Sequence, residues 1–272
     1  MSSLSLSKAW DESKAIGARD GRLIAAVALA LVLLPQAIFG VIVPPPAMSG
    51  EEAPNWATGL SLIVAVIGVV GQIAIIKLAL GPATSVGESI MHGFKRVLSA
   101  FSALCLFVLP LAVILVALMV AVGGPDAIES LAGGKPQPGV AGLILLFVAI
   151  VVLVSIRFQM VVPVAAAESA NPIQILKRSW ELTRGHYWRL LAFLLVALMF
   201  AVVLLLFAQI IGGILGRIAF GDTKPFTIGA LAVALISAAA QAAFTCVVGV
   251  MLARIYVQLS GRDGAGVPKS GT

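Results

Sequence analysis

The chain has 272 residues, of which 60% are hydrophobic and only 11% charged. A soluble domain carries about 25% charged residues, and the mean hydropathy of +1.09 points the same way, so an ordinary soluble enzyme is excluded and an integral membrane protein with little room for a soluble domain remains. The formal charge is +6, and its placement along the chain carries more information than its sum.

Residues 1–22 read as a polar, amphipathic N-terminal segment containing Lys8, Trp10, Asp11, Glu12, Lys14, Arg19 and Arg22. Leu23 to Val43 is apolar and about 30 Å long as a helix, enough to span a bilayer. Its apolar core is longer than that of a signal peptide and no clear small-x-small cleavage site follows, so it is expected to be an uncleaved first span, bent near Pro35. Residues 44–58 form a Pro-rich acidic loop, and Gly59 to Leu80 is the second span, with Lys77 near its end. A short polar segment with Glu88, His92, Lys95 and Arg96 leads to the third span, Leu98 to Val122, where Pro110 marks a kink. Residues 123–141 are rich in Gly and Pro and read as an exposed loop. The fourth span, Gly142 to Val162, carries Arg157 near its end and is followed by Pro163.

The densest polar stretch comes next. Asn171 followed by Pro172 is a helix start: a side-chain cap, then a residue whose missing N–H costs nothing in the first turn. Ile173, Leu176, Trp180 and Tyr187 recur at helical spacing while Lys177, Arg178 and Arg184 interrupt them, which describes a basic amphipathic helix. Gly185 is a stop or bend. His186, Tyr187, Trp188 and Arg189 then open the fifth span, 190–216, and aromatic plus basic residues at such a junction mark a membrane–water interface. A short loop precedes the sixth span, Ile228 to Tyr256. The membrane domain therefore covers 23–257, and 258–272 reads as a flexible tail.

Orientation follows from the basic residues. Placing both termini on one side puts 15 of the 18 lysines and arginines there and leaves only Lys135, Arg217 and Lys224 on the other. The positive-inside rule makes the crowded side cytoplasmic. The three cytoplasmic segments are also alike: a polar piece, one or two glycines, and a basic residue opening a span, each followed by two spans and an outer loop. The pattern allows a threefold helix-plus-hairpin repeat. The fold class is thus all-α, a six-helix membrane bundle with cytoplasmic interfacial amphipathic helices.

The order Arg157, Pro163, Glu168, then Leu176-Lys177-Arg178-Ser179-Trp180-Glu181-Leu182-Thr183-Arg184-Gly185-His186-Tyr187-Trp188 resembles the glycerophosphoryl diester phosphodiesterase membrane-domain family. The motif covers about 35 residues, and the six-span layout agrees over most of the chain. The resemblance implies a six-span bacterial inner-membrane protein. In some relatives this domain is fused to a soluble phosphodiesterase barrel that supplies the metal ligands. No segment here is long or polar enough to form that barrel, so the resemblance implies a fold and argues against the activity in the family's name.

Candidate residues each have a structural reading beside the functional one. Arg157 with Glu168, and Lys77 with Glu88, are candidate ion pairs that tie a span to its interfacial helix, since charges near membranes usually pair. Lys177, Arg178, Trp180, Arg184, Trp188 and Arg189 are candidates for contact with lipid headgroups or the interface; ordinary topology control by positive residues is the plainer account. Gln36, Gln72, Gln209 and Gln241 lie within spans and are expected to hydrogen-bond between helices. Cys105 and Cys246 sit in apolar runs and read as packing residues. With two histidines in the chain, a histidine-rich metal site is excluded. No nucleotide-binding, zinc-protease or nucleophile-elbow pattern is present, no span carries a carboxylate near its centre, and the basic residues lie where a membrane needs them rather than where nucleic acid would. The expected function is a non-enzymatic, multi-pass membrane scaffold or accessory protein without cofactor or metal, whose partners are anionic lipids or another protein at the cytoplasmic leaflet. The alternative is a permease for a lipid or small amphiphile, with a glutamine-lined cavity reached from Arg157.

Overall fold

A helix that is apolar on every face needs lipid or a protein interior around it, and in lipid it must satisfy its own backbone. The computed structural model describes residues 4–43, 54–81, 85–132, 137–168, 170–220 and 225–261, and among these there is no strand. Six stretches are long and apolar enough to cross a membrane: Leu6–Ile42, Trp56–Leu80, Val86–Gly123, Pro138–Ala167, Tyr187–Gly216 and Ile228–Leu259. The protein is an all-α, multi-pass membrane bundle.

The first stretch is continuous. Ser5 caps α1 (Leu6–Ala28), its hydroxyl accepting from the Lys8 amide at 3.3 Å. A π-helical turn at Leu29–Leu33 leads into α2 (Leu34–Ile42). Pro35 supplies the reason: it has no N–H for the carbonyl four residues back and its ring crowds that carbonyl, and one extra residue in the preceding turn relieves both. The disturbance expected at Pro35 takes this form. No break separates residues 6–22 from the span: Gly17 and Gly21 lie within α1 and do not interrupt it.

α3 (Trp56–Leu80) is followed by α4 (Val86–Gly123), which packs along it. The polar segment before the third span is likewise not a separate piece. It is the first part of α4, started by a capping box in which Ser85 and Glu88 satisfy each other's amides at 3.2 and 3.1 Å. Pro110 lies inside the same unbroken helix. The Gly/Pro-rich loop that follows is not wholly irregular: it contains α5 (Ala127–Ala132), whose Ala127 is buried with Met119 and Val140.

α6 (Pro138–Phe158) ends earlier than the expected fourth span. A turn at Gln159 and Met160 redirects the chain into α7 (Val161–Ala167), which holds Pro163 in its first turn, and then come α8 (Pro172–Thr183), α9 (Tyr187–Phe220) and α10 (Ile228–Leu259). Of the three expected units, only the third has a collar helix separate from its span.

α10 is the hub, touching α1, α2, α3 and α9. Its buried face is built from small residues, with Ala230, Ala234, Ala238 and Ala242 four apart and Gly249 beyond them. Lipid supplies no hydrophobic drive between helices, so close approach through small residues takes its place. The largest buried side chains, among them Ile73, Ile75, Ile76, Ile156, Met160, Ile175, Ile255 and Tyr256, gather at the end of the bundle that holds α7 and α8. Leu98, Val113, Leu145, Val196 and Met199 on α4, α6 and α9 point outward, as side chains in lipid do.

Both described chain ends meet at that same collar end: the Ser5 amide donates to Gln258 Oε1 at 3.0 Å. Gln258 is buried and still helical, so the expected flexible tail does not begin there; residues 262–272 lie outside the described residues.

Candidate functional site

α8 begins and ends where its local sequence requires. Asn171 and Gln174 form a capping box, with Gln174 Oε1 accepting the Asn171 amide at 3.2 Å. Gly185 follows the helix at φ +91°, a conformation that a side chain would disfavour. The buried face consists of Ile175, Ser179, Leu182 and Thr183. Ser179 donates its hydroxyl to the Arg157 carbonyl at 2.8 Å, and the Thr183 hydroxyl lies 3.4 Å from the same oxygen while standing closer to the Ser179 and Trp180 carbonyls of its own helix, at 3.0 and 3.1 Å. That carbonyl is one of those left without an intrahelical partner at the end of α6, so α8 caps α6 from the side.

The opposite face is Ile173, Lys177, Trp180 and Arg184, all exposed. These positions fall on one stripe of a helix. The sequence placed Ile173, Leu176 and Trp180 together as the apolar face. In the structure Ile175 and Leu182 face the bundle, while Ile173 and Trp180 look outward among basic residues.

The Arg157 guanidinium lies 4.9 Å from the centre of the Trp180 ring and 5.3 Å from that of Tyr187. Tyr187 is held in turn by donation to the Leu153 carbonyl at 3.2 Å. Each such cation–π contact is worth about 0.5–1 kcal/mol at an exposed site and about 2 when desolvated.

The expected pair of Arg157 with Glu168 is not formed. After the turn at Gln159 and Met160, α7 packs on α3, α4 and α8, and just past its end Glu168 Oε1 accepts from the Tyr256 hydroxyl of α10 at 2.7 Å. Arg178 Nε is 3.6 Å from the same oxygen, and its Nη1 is 3.6 Å from Glu181. Glu168 thus joins α7, α8 and α10. Lys77 and Glu88 are not paired either: Glu88 is engaged in the α4 cap, and Lys77 stands in the last turn of α3, where the helix dipole favours a cation.

Trp188 is the most exposed of the large apolar side chains at the collar, at 78%. Arg189, grouped with it as a candidate lipid contact, is exposed and also donates to the Leu4 carbonyl, which ties the span to the segment before α1. Sequence reading also missed the links that close the collar: Arg254 Nε to Glu12 Oε2 at 2.7 Å, Tyr256 to Glu168, and the His92 ring to the Ala166 carbonyl at 2.8 Å. No local spacing connects residues that lie 242, 88 and 74 positions apart. Among the described residues, no cluster of three or more His, Cys, Asp or Glu could hold a metal ion.

A second feature lies at the far end of the bundle. A cavity of about 460 Å³ opens between α2, α3, α9 and α10. Gln36, Gln209 and Gln241 line it together with Thr58, Ser61 and Ser237. The glutamines were expected to bond between helices. Three of the four converge here instead, and no side-chain hydrogen bond to another described residue is made by any of the three. Ser237 Oγ is buried without a partner. Arg157 is at the opposite end and does not reach this space.

A family model described as "Domain of unknown function (DUF7847)" matches residues 14–259. No curated protein and no solved structure matches.

Proposed function

The chain belongs to the DUF7847 family, a domain of unknown function, and from that premise we propose that it is a non-enzymatic membrane scaffold or accessory protein of the bacterial inner membrane whose collar binds anionic lipid at the cytoplasmic leaflet. The observation that carries this reading is the outward stripe of α8: Ile173, Lys177, Trp180 and Arg184, with exposed Trp188 beyond the Gly185 bend. Tryptophan and a branched aliphatic suit the acyl–headgroup boundary, and each cation near an anionic surface adds about 1 kcal/mol. The stripe is presented by a helix held through Ser179, Thr183 and the Glu168 contacts, so little ordering is left for binding to impose. The 15-to-3 distribution of basic residues supports placing the collar in the cytoplasm. The resemblance to the phosphodiesterase membrane domain fits this reading as an accessory role, not as an activity.

The test is Lys177→Glu/Arg184→Glu. Arg178 is left alone because it also touches Glu168 and Glu181. Loss of two attractions of about 1 kcal/mol each lowers the affinity of the collar for anionic lipid by roughly 30-fold, and the two reversed charges lower it further. The expected result is loss of co-purifying anionic lipid from a mild extraction, read by mass spectrometry, with insertion intact. The same lipid profile in both proteins would remove the lipid reading and direct the search to a protein partner at the same stripe.

A permease for a lipid or small amphiphile is the second reading, and the amide-lined cavity is what favours it. Flux into proteoliposomes that Gln241→Leu abolishes, without loss of folded protein, would select it.

A further inference from the structure

We propose that the far-end cavity is a binding site for an uncharged, hydroxyl-bearing amphiphile of the monoacylglycerol class. The proposal goes beyond the collar and does not depend on it.

The cavity begins at the end of the bundle, where Val43, Ala57 and Thr58 form its rim. It reaches Gln241, which at about 1.5 Å per residue lies roughly 20 Å along α10 from its start at Ile228. Polar side chains at that depth are costly unless they are hydrogen-bonded. Gln36, Gln209 and Gln241 each bring an amide with two donor hydrogens and two acceptor lone pairs, and the structure uses none of these within the described residues. Ser237 adds a buried, unpartnered hydroxyl oxygen. These groups converge from three helices on one space, which makes a ligand the economical account of them.

The chemistry of the lining selects the ligand. Every residue lining the cavity is uncharged, so a charged head would sit there without a counter-charge, at a cost of several kcal/mol. Amides and hydroxyls both donate and accept, and a hydroxyl head matches both at once. Phe39, Leu205 and Val233 supply apolar wall for the first part of a chain. The volume of about 460 Å³ lies within the range of small-ligand sites, about 300–1,000 Å³. It holds a glycerol-sized head and part of a tail, leaving the rest of the tail in lipid.

The experiment uses the full chain in nanodiscs with a diazirine-bearing monoacylglycerol as the probe. Labelling is expected to saturate, to map to α2 and α10, and to be competed by 1-monooleoylglycerol at least tenfold better than by oleate. Gln209→Leu/Gln241→Leu removes two groups that bond the head, and the apparent affinity is expected to fall about tenfold or more. Gln72→Leu alters a span glutamine that does not line the cavity and should leave affinity unchanged. Ser237→Ala is a milder variant that keeps the test available if the double variant does not fold, and it should weaken binding in the same direction. Labelling that never saturates, as for a space that holds only water, would overturn the proposal. So would equal labelling of wild type and folded variants, or oleate competing as well as monooleoylglycerol.

Discussion

Glu168→Ala is expected to destabilise the protein by about 1.5–3 kcal/mol, well beyond the effect of removing its ion-pair partner Arg178. The Glu168 carboxylate accepts from Tyr256 at 2.7 Å, and the Tyr256 side chain is 1% exposed. A hydrogen bond to a charged group contributes about 1.5–3 kcal/mol. The ion pair with Arg178 adds less, since it is 3.6 Å long and the Arg178 side chain is 42% exposed; exposed pairs of this kind are worth about 0–1 kcal/mol. Arg178→Ala should therefore be nearly silent, and the difference between the two variants isolates the Tyr256 bond. Unfolding midpoints in nanodiscs, followed by tryptophan fluorescence, provide the comparison. Tyr256→Phe and the double variant Glu168→Ala/Tyr256→Phe complete a double-mutant cycle, in which the expected coupling between the two residues is about 1 kcal/mol or more. Equal midpoints for Glu168→Ala and Arg178→Ala would show that the carboxylate does not hold α7 to α10.

Gly93→Ala and Gly68→Ala should shift stability in opposite directions. A Cβ on Gly93 would lie 2.7 Å from the Val70 carbonyl oxygen and 3.0 Å from Val70 Cγ1. Neither can withdraw cheaply, because the first atom belongs to the backbone of α3 and Val70 is buried. Overpacking of this kind costs about 1–3 kcal/mol, more than the gain of about 1 kcal/mol that alanine brings to a helix interior. At Gly68, also inside a helix, a Cβ meets nothing within 4 Å, so only the gain remains. The same unfolding assay reads both. A rise in midpoint for both variants would mean that α3 and α4 do not approach as closely at Gly93 as the structure has them.

Gly93 also shows how far local sequence reaches. Its neighbourhood, with Glu88, Lys95 and Arg96, reads as a polar segment in which a glycine precedes the basic residues that open a span. The chain is instead helical from Val86 onward. Backbone hydrogen bonds within a helix are indifferent to whether the side chains are polar or apolar, so a change of polarity at a membrane surface is not a helix end. The glycine there serves contact with α3. At Gly185 the same residue type does end a helix, because its φ of +91° is needed for the turn. The two glycines look alike in sequence, and only the packing tells them apart.

Sequence alone determined the number of spans, their all-α character and the start and stop of α8. The reason is that each rests on local chemistry: about 20 apolar residues cross a bilayer, a helix satisfies its own backbone there, and Asn171-Pro172 and Gly185 act on their immediate neighbours. Tertiary structure decided everything that depends on where a helix is aimed. The turn at Gln159 and Met160 gives Glu168 to Tyr256 and Arg178 rather than to Arg157. The rotation of α8 buries Ile175 and turns Trp180 outward. The way α2, α9 and α10 face one another brings three glutamines from separate spans to one cavity. Partners 88 and 242 residues apart are chosen by helix direction and rotation, and the spacing of residues along the chain does not encode these.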